Sequence, residues 1–220
     1  MQFATASARI LPESDALLDA IAAILIRHPE IEVRISATDR LDPVGEGDVD
    51  IGIRYGRGQW PGVEAELLLQ DEVFPVCSPK LLTGEIPLKT PQDLVHFKLI
   101  SDLDWRRAQF DFWPRWLSAA GTPTLELKTN LTFNYSNLMI QAAIDGLGVA
   151  LGNFMLAGDD LKKGHLVRPF RESVTLDTGY YLIYGKGALK QAKVKAFRDW
   201  VFAQMAAFQV DENGGAARAP

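Results

Sequence analysis

The sequence predicts an α/β protein with a mostly parallel sheet, and three observations carry that expectation. Short period-two apolar runs alternate with segments of helical spacing, prolines and glycines stop most runs, and the composition is ordinary for a globular chain. The 220 residues are 47% hydrophobic, 23% charged and 10% aromatic, which excludes collagen-like, low-complexity and disordered classes for most of the chain. A chain of this length buries roughly 70% of its unfolded surface, enough for a core without metals or disulfides. At roughly 150 residues per domain, it makes one large domain or two small lobes.

Several function classes fall away on composition. Cys77 is the single cysteine, so neither a disulfide framework nor a cysteine-rich zinc module can form within the chain. His28, His96 and His165 are scattered, with no partner at metal-ligand spacing. A net charge of −5 lacks the basic footprint of a DNA-binding domain. The apolar stretches fall far short of the roughly 20 residues that span a membrane. The N-terminus has no basic start followed by a long apolar core, so it is not read as a signal peptide. The expectation is a cytoplasmic protein that binds something small, with no membrane partner and no cofactor.

Taken in order, residues 3–10 alternate weakly as a strand. Residues 14–27 place Leu17, Leu18, Ile21, Ile24 and Leu25 at helical spacing, with Ser14 as a cap and His28-Pro29 as the stop. Strands follow at 31–35 and 49–55, then one at 72–77 whose Pro75 suits an edge or a strand end. A turn-rich run to Pro91 marks a shift in composition. Beyond it the spacing predicts a strand at 97–101, an aromatic helix over 110–120, a strand at 125–129 and a helix over 137–143. Strands at 148–152 and 180–184 precede an amphipathic helix over 192–208 carrying Val194, Phe197, Val201 and Met205. Residues 211–220 have little to bury and read as a disordered tail.

Five stretches in order then resemble one family. They are Arg27-His28-Pro29-Glu30-Ile31-Glu32-Val33-Arg34, Gly47-Asp48-Val49-Asp50-Ile51-Gly52-Ile53-Arg54-Tyr55-Gly56, Phe74-Pro75-Val76-Cys77-Ser78-Pro79, Gln141-Ala142-Ala143-Ile144-Asp145-Gly146-Leu147-Gly148-Val149-Ala150-Leu151 and Gly164-His165-Leu166-Val167-Arg168-Pro169-Phe170. Together they resemble the effector-binding domain of LysR-type transcriptional regulators. Trp60-Pro61-Gly62 and Ile53-Arg54-Tyr55-Gly56 are similar to the branch with the glycine-cleavage and β-lactamase regulators.

The resemblance implies two Rossmann-like lobes of periplasmic-binding-protein type joined by two crossover strands. Residues 1–77 with 186–210 would form lobe I, and 78–185 lobe II. It also implies a small-molecule effector bound in the interlobe cleft, a homo-oligomer (a dimer, or a tetramer in the full-length protein), and DNA contact only through an N-terminal helix-turn-helix domain absent from this chain. The chain then reads as a truncated form of a longer regulator, with a stand-alone homologue as the alternative.

On that reading the effector meets Ser14, Thr38, Arg54, Tyr55, Ser101, Asn134, Tyr135, Ser136 and Tyr180. Ser136 opens a helix, where it either receives an anion on its hydroxyl and the free amides or simply caps. Thr38 lies just beyond a strand and Ser101 ends one, and Thr38 equally suits a turn with Asp39. Arg54 either clamps a carboxylate or pairs with Asp50 or Glu64. Tyr180 offers a hydroxyl or packs its ring. The hydroxyl-rich set suits an anionic ligand whose charge faces the start of the Ser136 helix. Trp113 and Trp116 read as core, and Cys77 as a buried small hydrophobe. No nucleophile with a base, metal set or dinucleotide fingerprint supports an enzyme. The alternative is a solute-binding protein of a transporter with its signal removed.

Overall fold

The computed structural model describes residues 2–3, 25–26, 31–32, 34–35, 44, 49–102 and 112–215, with backbone alone at 2–3, 34–35 and 207–215. The chain divides into two units, one of Met1–Asp71 with Asp177–Asp211 and the other built on Glu72–Leu176. It passes from one to the other within two long strands.

In the first unit, β1 (Gln2–Phe3) pairs in parallel with β2 (Arg34–Ile35). Strand β3 (Ile51–Gly56) pairs antiparallel with β8 (Val174–Gly185), and β8 neighbours β4 (Val63–Val76). The core on this side gathers Ile31, Ile51, Leu68, Leu182 and Tyr184 with Val194, Phe197 and Val201 of the C-terminal helix. Those three helix residues recur at a spacing of three and four, so one stripe of that helix faces the sheet. Leu25 and Ile26 are helical, inside the segment whose spacing predicts a helix.

The second unit carries strand order β4-β7-β5-β6, with β5 at Leu99–Asp102, β6 at Thr129–Phe133 and β7 at Val149–Asn153. Strand β5 runs parallel to both neighbours, whereas β4 and β7 are antiparallel. Helices α1 (Phe112–Ala119), α2 (Ser136–Ile144) and α3 (Phe154–Lys163) cover it. Helix α4 (Ala192–Gly215) closes the chain on the first unit. Two apolar clusters form here. Trp116, Trp113, Leu94, Leu99 and Val149 centre one; Phe74, Ile100, Met139 and Leu166 centre the other. Trp113 and Trp116 meet edge to face at 5.9 Å, and the Trp116 indole donates to the Glu172 carbonyl at 2.9 Å, so the aromatic helix is core as its spacing indicates. Cys77 is fully buried, and burial pushes its thiol up to about 12, which leaves it a small hydrophobe.

Four differences from the sequence reading have physical causes. The sheet is mixed, because β4 and β8 run antiparallel to β7 and β3. The units divide at Asp71/Glu72 and Leu176/Asp177, earlier than residues 77 and 185, because Val73–Val76 already pair with β7. The strand read at 125–129 forms instead at Thr129–Phe133. Leu125 and Leu127 pack on the tryptophan cluster, and the ladder forms only opposite the four residues of β5. Helix α4 continues through 211–215, where a tail was expected, since extending a formed helix is far easier than starting one. Residues 216–220 lie outside the described residues. Among the described residues no helix is long and apolar enough to cross a membrane, and no group of side chains could hold a metal ion.

Candidate functional site

Strand β5 ends on two adjacent polar residues, Ser101 and Asp102, which are 7% and 3% exposed. Successive strand residues point to opposite faces, so the two cannot serve the same partner. Ser101 Oγ lies 3.4 Å from Thr129 Oγ1. Asp102 turns the other way, and the Ser136 hydroxyl donates to its Oδ2.

A bulge in β6 arranges this meeting. Leu99 pairs with Thr129, but Ile100 pairs with Leu131, so Asn130 is the extra residue. Its side-chain oxygen accepts the Leu99 N–H at 3.1 Å, which holds the bulge in place. Beyond it Asp102 stands opposite Phe133, three residues before the first residue of α2. Parallel strand ends and a helix start therefore converge on one corner, as they do where α/β folds take ligands.

Ser136 is not the cap of α2. Tyr135 occupies the cap position without a side-chain bond, and its carbonyl accepts from Leu138 and Met139 at 3.1 and 3.3 Å. The Ser136 proton goes to a carboxylate rather than outward. The negative group at the positive end of α2 is thus Asp102, a residue of the chain itself. That alters the expected role of Ser136, whose hydroxyl proton is no longer directed at an incoming anion. Asn134 and Tyr135 are exposed beside it, and the Tyr135 ring is 36% open.

Arg54, Tyr55 and Tyr180 fall together in the first unit. Tyr55 and Tyr180 are register partners across β3 and β8, with ring centroids 5.1 Å apart, and Arg54 stands opposite Tyr181. The Tyr55 hydroxyl donates to Asp71 Oδ2 at 2.7 Å and accepts from Thr178 Oγ1 at 2.8 Å. Burial first, and then the Asp71 charge, raise the Tyr55 hydroxyl well above its ordinary value, so it stays protonated. Lys193 meets Asp50 at 2.9 Å, and Glu64 accepts the Gly187 N–H. Ser14 and Thr38 lie outside the described residues.

Sequence reasoning missed Asp102 and Asp71. Asp102 had a readable signal, an acidic residue closing a buried strand one position after the chosen Ser101. Asp71 had none, because only the strand register brings it to Tyr55.

Comparison with known proteins gives a consistent answer. The family described as the LysR substrate binding domain matches residues 11–206. The glycine cleavage system transcriptional activator of Escherichia coli (strain K12) is 40% identical over 182 residues, covering 83% of this chain and 58% of that protein. The transcriptional activator AmpR of Pseudomonas aeruginosa is 32% identical over 195 residues, or 88% of this chain and 62% of that protein. Among solved structures, the effector domain of AmpR from Pseudomonas aeruginosa superposes with a TM-score of 0.75 at 28% identity, covering 94% of this chain and 95% of that one. The effector-binding domain of AmpR from Citrobacter freundii also gives 0.75, at 25% identity and with 94% and 98% coverage. The chain thus spans about three-fifths of the length of the curated relatives it matches. These relatives are transcriptional regulators, not enzymes.

Proposed function

The chain belongs to the LysR substrate-binding domain family, with the two-lobed α/β fold of that family, and from this premise we propose that it is the sensing domain of a transcriptional regulator. It binds a small polar metabolite, and binding controls how the full-length protein engages DNA. DNA contact belongs to a helix-turn-helix segment that is not among these residues. The protein works in the cytoplasm as a homo-oligomer, a dimer or tetramer. The regulatory names of the relatives favour this reading over a transporter's solute-binding protein.

The observation that carries the reading is the polar corner at parallel strand ends where the buried Asp102 carboxylate meets the Ser136 hydroxyl. Polar side chains buried away from water are costly unless partnered, and folds keep them where something is to be recognised. Asn134 and Tyr135 are proposed as effector contacts beside it, and Arg54, Tyr55 and Tyr180, with Ser14 and Thr38, as effector contacts within the first unit.

A thermal-shift screen of metabolites tests the proposal, because a ligand that binds only the folded chain raises its melting temperature by mass action. The expected result is a hit whose stabilisation shrinks in Ser136→Ala, and which changes operator binding by the full-length protein. A hit that Ser136→Ala and Tyr180→Phe both leave unchanged removes this assignment.

A further inference from the structure

We infer that Asp102 is a positioning residue that makes the Ser136 hydroxyl a hydrogen-bond acceptor, so that the effector group met at this corner is a donor: an amide N–H, a hydroxyl or an ammonium. The inference deepens the function proposed above and rests on it. A serine hydroxyl carries one proton and two lone pairs. At Ser136 the proton goes to the Asp102 carboxylate, and what it offers any other partner is the lone pairs.

Two features hold that polarity in place. Asp102 is 3% exposed and ends a strand whose register the Asn130 bulge sets, so its carboxylate cannot swing out into water. Turning the Ser136 proton towards a bound carboxylate would deprive a buried, charged acceptor of a donor, which is costlier than losing an ordinary hydrogen bond. The Asp102 charge also lies at the first turn of α2, where it offsets the positive end of the helix dipole and repels a second anion.

Acetamide and acetate have the same shape, but only acetamide donates. Each is titrated into the 220-residue chain while the backbone amides of residues 101–102 and 134–138 are followed by NMR. The expected result is tighter binding of acetamide by about three- to tenfold, the size of one hydrogen bond. In Asp102→Asn the carboxamide N–H turns to Ser136 and releases its proton, so the preference falls to about one or reverses. In Ser136→Ala the preference disappears.

Equal or tighter acetate binding in the parent chain overturns the inference and leaves the functional reading standing. So does a preference unchanged in Asp102→Asn. If neither probe moves these amides, the reading that this corner meets the effector fails and takes the inference with it. Should Asp102→Asn not fold by circular dichroism, Ser136→Ala decides alone, and a retained acetamide preference there overturns the assignment.

Discussion

The Tyr55 hydroxyl stands in a chain of two hydrogen bonds, accepting from Thr178 and donating to Asp71, a carboxylate that is 1% exposed. Tyr55→Phe keeps the ring against Tyr180 and removes one donor from that carboxylate. The expected cost is about 1–3 kcal/mol, since a buried charged acceptor loses a partner. Urea unfolding measures it, and an unchanged midpoint would show that the bond contributes nothing. The hydroxyl is held above its ordinary pKa, so its contribution is present below about pH 10 and lost only as pH rises through the higher folded value. The Tyr55→Phe deficit is therefore constant between pH 6 and 9. Tyr55 was legible as a residue at a strand end, but its partner was not. Asp71 is sixteen residues away, and pairing between β3, β8 and β4 alone brings the two together. The same limit separates Ser101, chosen from sequence, from Asp102, which holds Ser136. Period two says that neighbours face apart, but it does not say which face is used.

At the scale of elements, the apolar runs that match a period were legible, and the frames set by pairing were not. Strands β3, β5 and β7 and helices α1 and α2 form within one or two residues of their periodic segments. Strand β6 moves because its alternation runs on from Leu125 to Phe133, and only the short β5 decides which part pairs. Helix α3 went unnoticed although its ends were marked. Asn153 Oδ1 caps the Leu156 N–H at 3.0 Å, and Lys162 and Lys163 sit in the last turn. Close packing between elements gives sharper tests. At Gly148 a Cβ would lie 2.2 Å from the Lys98 carbonyl oxygen, beside the bond from Val149 N to that oxygen at 2.9 Å. Gly148→Ala must push β7 from its neighbour and is expected to cost about 1–3 kcal/mol or more. By contrast, at Gly121 a Cβ meets nothing, so only its positive φ of 74° resists Gly121→Ala, at about 1–2 kcal/mol. Denaturant midpoints of the two variants compare directly; a smaller loss at Gly148 than at Gly121 would contradict the packing argument.

Across the whole molecule, acid stability depends on carboxylates whose folded pKa values are depressed. The Arg198 guanidinium holds the Glu66 carboxyl below the usual range, and the Tyr184 hydroxyl donates to the same group. Backbone N–H groups of Thr90 and Lys89 lower Asp93 within its capping box, and Lys195 followed by Arg198 lowers Asp199. A depressed folded pKa contributes stability that is complete above the unfolded value and lost as pH falls through the folded one. Stability is therefore expected to be flat from pH 8 down to about 5 and to decline below about 4.5. The Glu66 cluster has the most structural reach, because it ties α4 to β4 and β8 while Arg198 also lies 4.4 Å over the Phe202 ring. The side chains of Arg198 and Glu66 are 30% and 28% exposed, so water screens the pair. A contribution of about 0.5–1 kcal/mol follows, or about 1–4 °C in melting temperature for a chain of this size. Arg198→Met keeps an unbranched apolar stem at this position and removes the guanidinium from both Glu66 and the Phe202 ring. In calorimetry at pH 6 it should melt about 1–4 °C below the parent, and the gap should narrow by pH 3, where Glu66 is increasingly protonated in the parent. Parallel curves from pH 6 to pH 3 would mean that Arg198 holds α4 through packing alone, and that the acid sensitivity of the chain arises at other carboxylates.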